Sequence, residues 1–333
     1  MRIKGSTVVI TGASSGVGRA AAVRYAKSGA NLVLAARDAE ALEDAAETCR
    51  EQGVIVLTVP TDVTDARAVD QLAKEAVREF AGIDVWINNA SVSLFASIAD
   101  APLEDFRRVL DVNIMGYVHG ARAALRYMRP QGQGVLINVS SVVGHVPQPY
   151  TAAYSISKAG VNALSVSLRS ELALDKFKDI HVVTVLPPTI DTPFFDQVAN
   201  ATGRKVLAMP PVHSPEEVAE VLLKAARKPR HDMPVGSAAK QMIRQHRVSP
   251  ASVESLMAQQ VDKKHLSSTQ PAAATHGNLF QPSPSERHEL HGGWDGRRRQ
   301  AGRRLLATGA LVAAAAGGLA VLGRQQDRPR RRH

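Results

Sequence analysis

Residues 7–20 read TVVITGASSGVGRA. A short β-branched run is followed by glycines at 12, 16 and 18, and then by small helix-forming residues. The run has the composition of a buried strand. Glycine after it permits a tight turn and lets main-chain amides approach a pyrophosphate, which the positive end of the next helix favours. Gly12, Ser14, Ser15, Gly16, Val17 and Gly18 are therefore candidate cofactor-binding residues. Strand, glycine loop and helix in this order predict the opening unit of a doubly wound dinucleotide-binding fold.

The same rhythm continues to about residue 188. Strands are predicted at 7–10, 31–36, 54–59, 83–88, 134–139 and 181–186, and helices at 16–28, 38–52, 65–80, 102–129 and 151–177. The strand runs are continuously apolar, as expected where helices cover both faces of a parallel sheet. The pattern predicts an α/β fold with a Rossmann-type sheet of about six to seven strands. Beyond it, 189–213 is loop-like, 215–228 is a helix capped by Ser214, and 233–237 can add a short strand. The predicted organisation is a catalytic domain over 1–237, a helical extension over 238–262, a disordered linker over 263–302, and a C-terminal apolar helix with Arg-rich flanks over 303–333.

The formal charge of +10 is unevenly placed. Residues 297–333 hold ten Arg and one acid, leaving 31 basic and 30 acidic residues in 1–296. A nearly neutral body with 4% aromatic residues argues against nucleic acid as a partner. Cys49 is the only cysteine, so no intrachain disulfide forms, and the scattered His288 and His291 suggest no metal. Residues 305–323 form 19 consecutive uncharged positions, near the length that spans a bilayer. The N-terminus has no apolar leader before its first strand. The expectation is a membrane-associated chain with a cytoplasmic catalytic domain.

Two further stretches concern chemistry. Residues 33–38 read VLAARD, where an acid at position 36 would receive the ribose 2′-hydroxyl of NAD. Ala36 stands there and Arg37 follows, suited to a 2′-phosphate, so NADP(H) is favoured over NAD(H). Residues 154–158 read YSISK, which puts Tyr154 and Lys158 on one helical face a turn apart. A nearby cation lowers a phenol's pKa and suits it to general acid–base work.

Taken in order, these motifs resemble the short-chain dehydrogenase/reductase family over roughly residues 4–192. TGASSGVG corresponds to TGxxxGxG, NNAS at 88–91 to NNAG, and YSISK to YxxxK. The resemblance implies that Asp62 and Val63 lie at the adenine, and that Asn89 and Ala90 lie beside the cofactor. It implies a catalytic set of Asn113, Ser141, Tyr154 and Lys158: Asn113 supports a water relay, Ser141 polarises the substrate oxygen, Tyr154 is general acid or base, and Lys158 lowers its pKa and holds the nicotinamide ribose. Pro187, Ile190 and Thr192 would border the carboxamide. Ser91 and Pro188 depart from the family's glycines.

The expected activity is interconversion of a carbonyl and an alcohol with NADP(H), by a homodimer or homotetramer. Phe194 and Phe195 could wall an apolar pocket, and with the tail they suggest a lipophilic substrate. His145 could line the entrance. The rival expectation is a non-catalytic NADP-binding membrane scaffold or redox sensor.

Overall fold

The apolar runs assemble into one parallel sheet in a computed structural model that describes residues 1–283 and 289–294. Its strands are β1 (Thr7–Thr11), β2 (Asn31–Ala36), β3 (Val56–Pro60), β4 (Val85–Asn88), β5 (Gln133–Val139), β6 (Asp179–Leu186) and β7 (Asp232–Pro234). They lie in the order β7-β6-β5-β4-β1-β2-β3. The direction of winding reverses between β1 and β4, the place where such sheets open a crevice at their carboxyl edge.

Strand alternation explains why the runs are apolar throughout. Val8, Ile10, Leu32 and Leu34 enter one core, while Val9, Val33, Trp86 and Leu136 enter another on the opposite face. The first is covered by α1 (Gly16–Ala26), α2 (Ala39–Arg50) and the later helix Pro215–Arg227; the second by α3 (Ala66–Phe80), α4 (Leu103–Leu110), α5 (Gly116–Gln131) and α6 (Ala152–Leu174). Each large apolar side chain buried this way contributes about 1.5–3 kcal/mol. Asp38 caps α2 and Ser214 caps the helix Pro215–Arg227, each through its side-chain oxygen. A buried polar chain stitches the middle of the sheet: Trp86 Nε1 donates to Asn88 Oδ1 at 2.8 Å, Asn88 Nδ2 to Asn138 Oδ1 at 2.9 Å, and Asn138 Nδ2 to Ser165 Oγ at 2.9 Å.

Two expectations are corrected here. The single helix expected over 102–129 is interrupted by a π-helical turn, Asp111–Met115, between α4 and α5. Asn113 on that turn is tied to a neighbouring loop, and the extra residue accommodates this tie. The expected linker over 263–302 makes defined contacts with the body at several of its described residues. Leu266–Pro271 pairs antiparallel with Arg204–Val206, Leu279 is fully buried in the second core, and His276 Nδ1 lies 2.8 Å from the buried Asp105 carboxylate. Composition suggested disorder because apolar residues are few, yet Leu266 and Leu279 fall at the contact points.

The helical extension forms Ser237–Val248, Pro250–Gln260 and a π turn, Val261–His265. The apolar segment 305–323 lies outside the described residues, and among those described no helix is long and apolar enough to cross a membrane.

Candidate active site

The loop from β1 to α1 is built for close main-chain approach. A Cβ on Gly18 would stand 1.9 Å from the Gly12 carbonyl oxygen, and one on Gly12, whose φ is +65°, 2.7 Å from Ala90 Cα. Asn89 Nδ2 donates to the carbonyls of Thr11 and Gly12 at 3.0 and 3.1 Å, locking this loop to the end of β4. With Ser14, Ser15, Gly16, Val17 and Ala90, these residues line a cavity of ≈ 350 Å³ at the carboxyl edge of the sheet. Its shape and main-chain lining fit a dinucleotide.

Arg37, Asp62 and Val63 line the same cavity. Arg37 is partly buried, which lowers its pKa. Burial opposes ionisation of Asp62, but hydrogen bonds from Thr64 and Arg108 prevail and hold its carboxyl below the usual range. Arg108, which sequence reasoning missed, donates to Asp62 Oδ2 at 2.8 Å from α4. No sequence signal marks it, because the contact spans 46 residues.

At the centre stand Tyr154 and Lys158. Lys158 is 1% exposed, and its Nζ donates to the Val139 carbonyl at 2.9 Å and the Tyr117 hydroxyl at 3.2 Å. Burial lowers its pKa to about 7. Burial pushes the Tyr154 phenol up to about 12, against hydrogen bonds with Ser141 and Ser91 that lower it. Lys158 Nζ lies 5.5 Å from the Tyr154 ring centroid, and the Ser141 and Ser91 hydroxyls also act on the phenol to lower its pKa.

Ser91, noted in the sequence only as a departure from glycine, also donates to Asn113 Oδ1 at 3.2 Å. Asn113 in turn donates to the Val92 carbonyl at 2.9 Å and to Ser157 Oγ at 3.0 Å, so its side chain positions the loop carrying Ser91. Ser141 Oγ donates weakly to the Pro187 carbonyl at 3.3 Å, whereas Ser140 is committed to the Lys158 carbonyl at 3.0 Å. Tyr117 was not anticipated, although its position four residues after Asn113 on the same helical face was a usable signal.

Pro187, Ile190 and Thr192 border the cavity, and the loop with Pro188 is fixed by a bridge between Ile190 and His213. The far wall is apolar, with Phe95, Phe194, Phe195, Met209, Met242 and Met257 lining it. An aromatic chain runs from Tyr154 to Phe194 at 5.8 Å, Phe195 at 5.4 Å, His265 at 5.5 Å and Phe95 at 4.9 Å. Burial lowers the His265 pKa to about 4, so the ring is neutral at pH 7. His145 does not line the cavity, and His288 lies outside the described residues. His291 approaches Asp191 and Glu216, but the described residues contain no cluster suited to a metal. Buried Cys49 has its thiol raised to about 12 and serves packing.

Known proteins match both sequence and fold. The family model for short chain dehydrogenases covers residues 6–203. An uncharacterized oxidoreductase, YxnA, of Bacillus subtilis (strain 168) is 35% identical over 77% of this chain and 72% of its own. A protein named 3beta-hydroxysteroid dehydrogenase 1 from Eggerthella lenta is 37% identical over 65% of this chain and 85% of its own. Among solved structures, NAD+-bound xylitol dehydrogenase aligns with a TM-score of 0.63 and 27% identity, covering 71% of this chain and 99% of that one. An alcohol dehydrogenase from the archaeon Thermococcus sibiricus complexed with 5-hydroxy-NADP aligns with a TM-score of 0.60 and 28% identity, over 69% of this chain and 95% of that one. Sequence, sheet order and cavity agree, and the chain belongs to the short-chain dehydrogenase/reductase family, as an NAD(P)-dependent oxidoreductase acting on CH–OH groups.

Proposed function

We propose that the protein is an NADP(H)-dependent reductase of lipophilic ketones or aldehydes, with Tyr154, Ser141, Lys158 and Asn113 as its working set. The observation that carries this reading is the Tyr154 phenol, set with Ser141 and Ser91 where the glycine-lined cavity meets an apolar aromatic wall. Residues 12–18, Asn89 and Ala90 would hold the dinucleotide's pyrophosphate side, Asp62 and Val63 its adenine, and Arg37 a 2′-phosphate. Lys158 would hold the nicotinamide ribose, with Pro187, Ile190 and Thr192 beside the carboxamide. The bound cofactor supplies hydride in the reducing direction.

Ser141 hydrogen-bonds the substrate oxygen and orients it toward the phenol. Tyr154 then gives its proton to that oxygen, and the Ser91 hydroxyl stabilises the phenolate left behind. Protonated Lys158 adds charge stabilisation beneath the ring. The apolar wall excludes water and selects substrates by buried apolar area. Phe194 and Phe195 bring the substrate's hydrocarbon against Tyr154.

NADPH oxidation measured against carbonyls graded from small and polar to long-chain and polycyclic tests the reading, with Tyr154→Phe alongside. Turnover that favours lipophilic carbonyls and collapses in the variant is expected; equal turnover of small polar ketones would remove the substrate class. The proposal includes a homo-oligomer, supported by exposed Leu103, Ile156, Val166 and Leu174 on α4 and α6, and a membrane tether at 305–323, supported by sequence alone. Solution mass and fractionation of the full chain test these two parts.

A further inference from the structure

Two segments of the supposed linker lie against groups that the reading above gives to the cofactor. Arg37 donates from Nη2 to the Asn278 carbonyl at 2.6 Å and from Nη1 to the Leu279 carbonyl at 3.1 Å. Arg108 donates from Nε to the same Leu279 oxygen at 2.9 Å. In the glycine loop, the Gly16 N–H donates to the Glu289 carbonyl at 3.1 Å. Thus the guanidinium suited to a 2′-phosphate and an amide at the start of α1 both end on main-chain oxygens of the C-terminal region.

These contacts are fastened from outside the cleft. His276 lies 2.8 Å from Asp105, and the Asn278 N–H donates to the Gln197 carbonyl at 2.8 Å. Farther along, His291 meets Glu216 at 2.9 Å, and the Trp294 N–H meets Asp191 Oδ1 at 2.5 Å. Asn278 also lines the cavity, and its side-chain Oδ1 is buried without a donor.

We propose that residues 278–280 form a cofactor-selectivity element that discriminates against NADP(H) while docked, whereas 289–294, seated on an amide that faces the shared pyrophosphate, bears on both cofactors alike. The inference rests on the dinucleotide reading of the cleft. A 2′-phosphate carries only acceptor oxygens and competes with the Asn278 and Leu279 carbonyls for Arg37. A 2′-hydroxyl is itself a donor and can serve such an acceptor. NADP(H) binding therefore requires the element to let go of Arg37, whereas NAD(H) binding does not. The preference written by Arg37 in the sequence is held in check by chain far from it in sequence.

Binding of NADPH and NADH is measured by titration calorimetry on the full-length chain and on His276→Ala and His291→Ala, which loosen the two fastenings outside the cleft. The expected result for His276→Ala is a gain in NADPH affinity on the order of tenfold, the scale of a charge-assisted hydrogen bond, with a smaller gain for NADH, and for His291→Ala a similar gain for both. Hydrogen exchange on the unaltered chain supplies a readout that needs no variant: NADPH should deprotect 276–280, and NADH should not. Equal changes for both cofactors in His276→Ala, or weaker binding of both, would overturn the proposal and make the element a clamp on bound cofactor. Increased protection of 276–280 by NADPH would overturn it as well. If no form of the chain binds either cofactor, the dinucleotide reading itself fails, an outcome separable from the others.

Discussion

The cleft has two walls made in different ways. One is formed by the carboxyl ends of β1, β4 and β5 with α6, where Lys158, Ser140 and Asn138 are essentially withdrawn from solvent. The other is formed by residues 194–213 and 237–283, held to the body by individual polar rivets. Arg204 joins the two segments of that wall to each other: it donates to Ser267, Leu266 and Asp262 main-chain carbonyls at 3.0, 2.8 and 2.6 Å, and to the Asp262 carboxylate at 2.7 Å. The first wall inherits the rigidity of a sheet buried on both faces, and the second can be loosened without unfolding that sheet. The residues proposed for chemistry sit on the rigid wall, and those proposed for selectivity on the replaceable one.

Removing the phenol from the rigid wall tests that division most severely. Tyr154→Phe should lower turnover by about 10²- to 10⁴-fold with cofactor binding and melting temperature near the parent values; a variant that retained more than a tenth of the activity, by roughly the same measure, would move proton transfer elsewhere. Gly18→Ala forces a Cβ against the Gly12 carbonyl and should cost about 1–3 kcal/mol of stability along with dinucleotide affinity, read by denaturant titration and calorimetry. On the second wall, Arg204→Ala should cost about 1–3 kcal/mol and speed hydrogen exchange over 261–271. Its KM for lipophilic carbonyls should rise while small ketones are little affected. Equal losses for both substrate types would mean the walls are not separable.

The smallest effect is a slope. The Lys158 pKa is about 7 in the folded chain against an ordinary 10.5, so between those pH values the unfolded chain binds more protons. Unfolding free energy should therefore rise with pH across that window, by no more than about 1.4 kcal/mol per pH unit from this group. Lys158→Met should remove the slope; a parent and variant with parallel stability profiles from pH 7 to 10.5 would show that the ammonium is not desolvated as its burial implies.

The rigid wall was also the legible one. Continuous apolar runs identify β1 to β6 because both faces of each strand are covered, and Gly12, Gly16, Gly18, Tyr154 and Lys158 keep their spacing within single elements. The π turn escaped because Asp111–Met115 has ordinary helical composition, and its extra residue follows from the bonds between Asn113 and Val92, 21 residues away. Arg108 and Ser91 gain their roles only through the fold. Residues 266–283 and 289–294 were misread because their docking relies on main-chain oxygens and a few well-placed side chains, which leave little trace in hydropathy.

Arg37 ends on carbonyl oxygens, and a carbonyl oxygen is common to all twenty amino acids. Replacing Asn278 or Leu279 alters packing but leaves both acceptors in the chain. What moves them is the count of residues between the strand Leu266–Pro271 and Asn278. Cofactor choice built this way is a trait of segment length: it drifts by insertion and deletion, and a laboratory seeking to invert it should vary loop size before it randomises side chains.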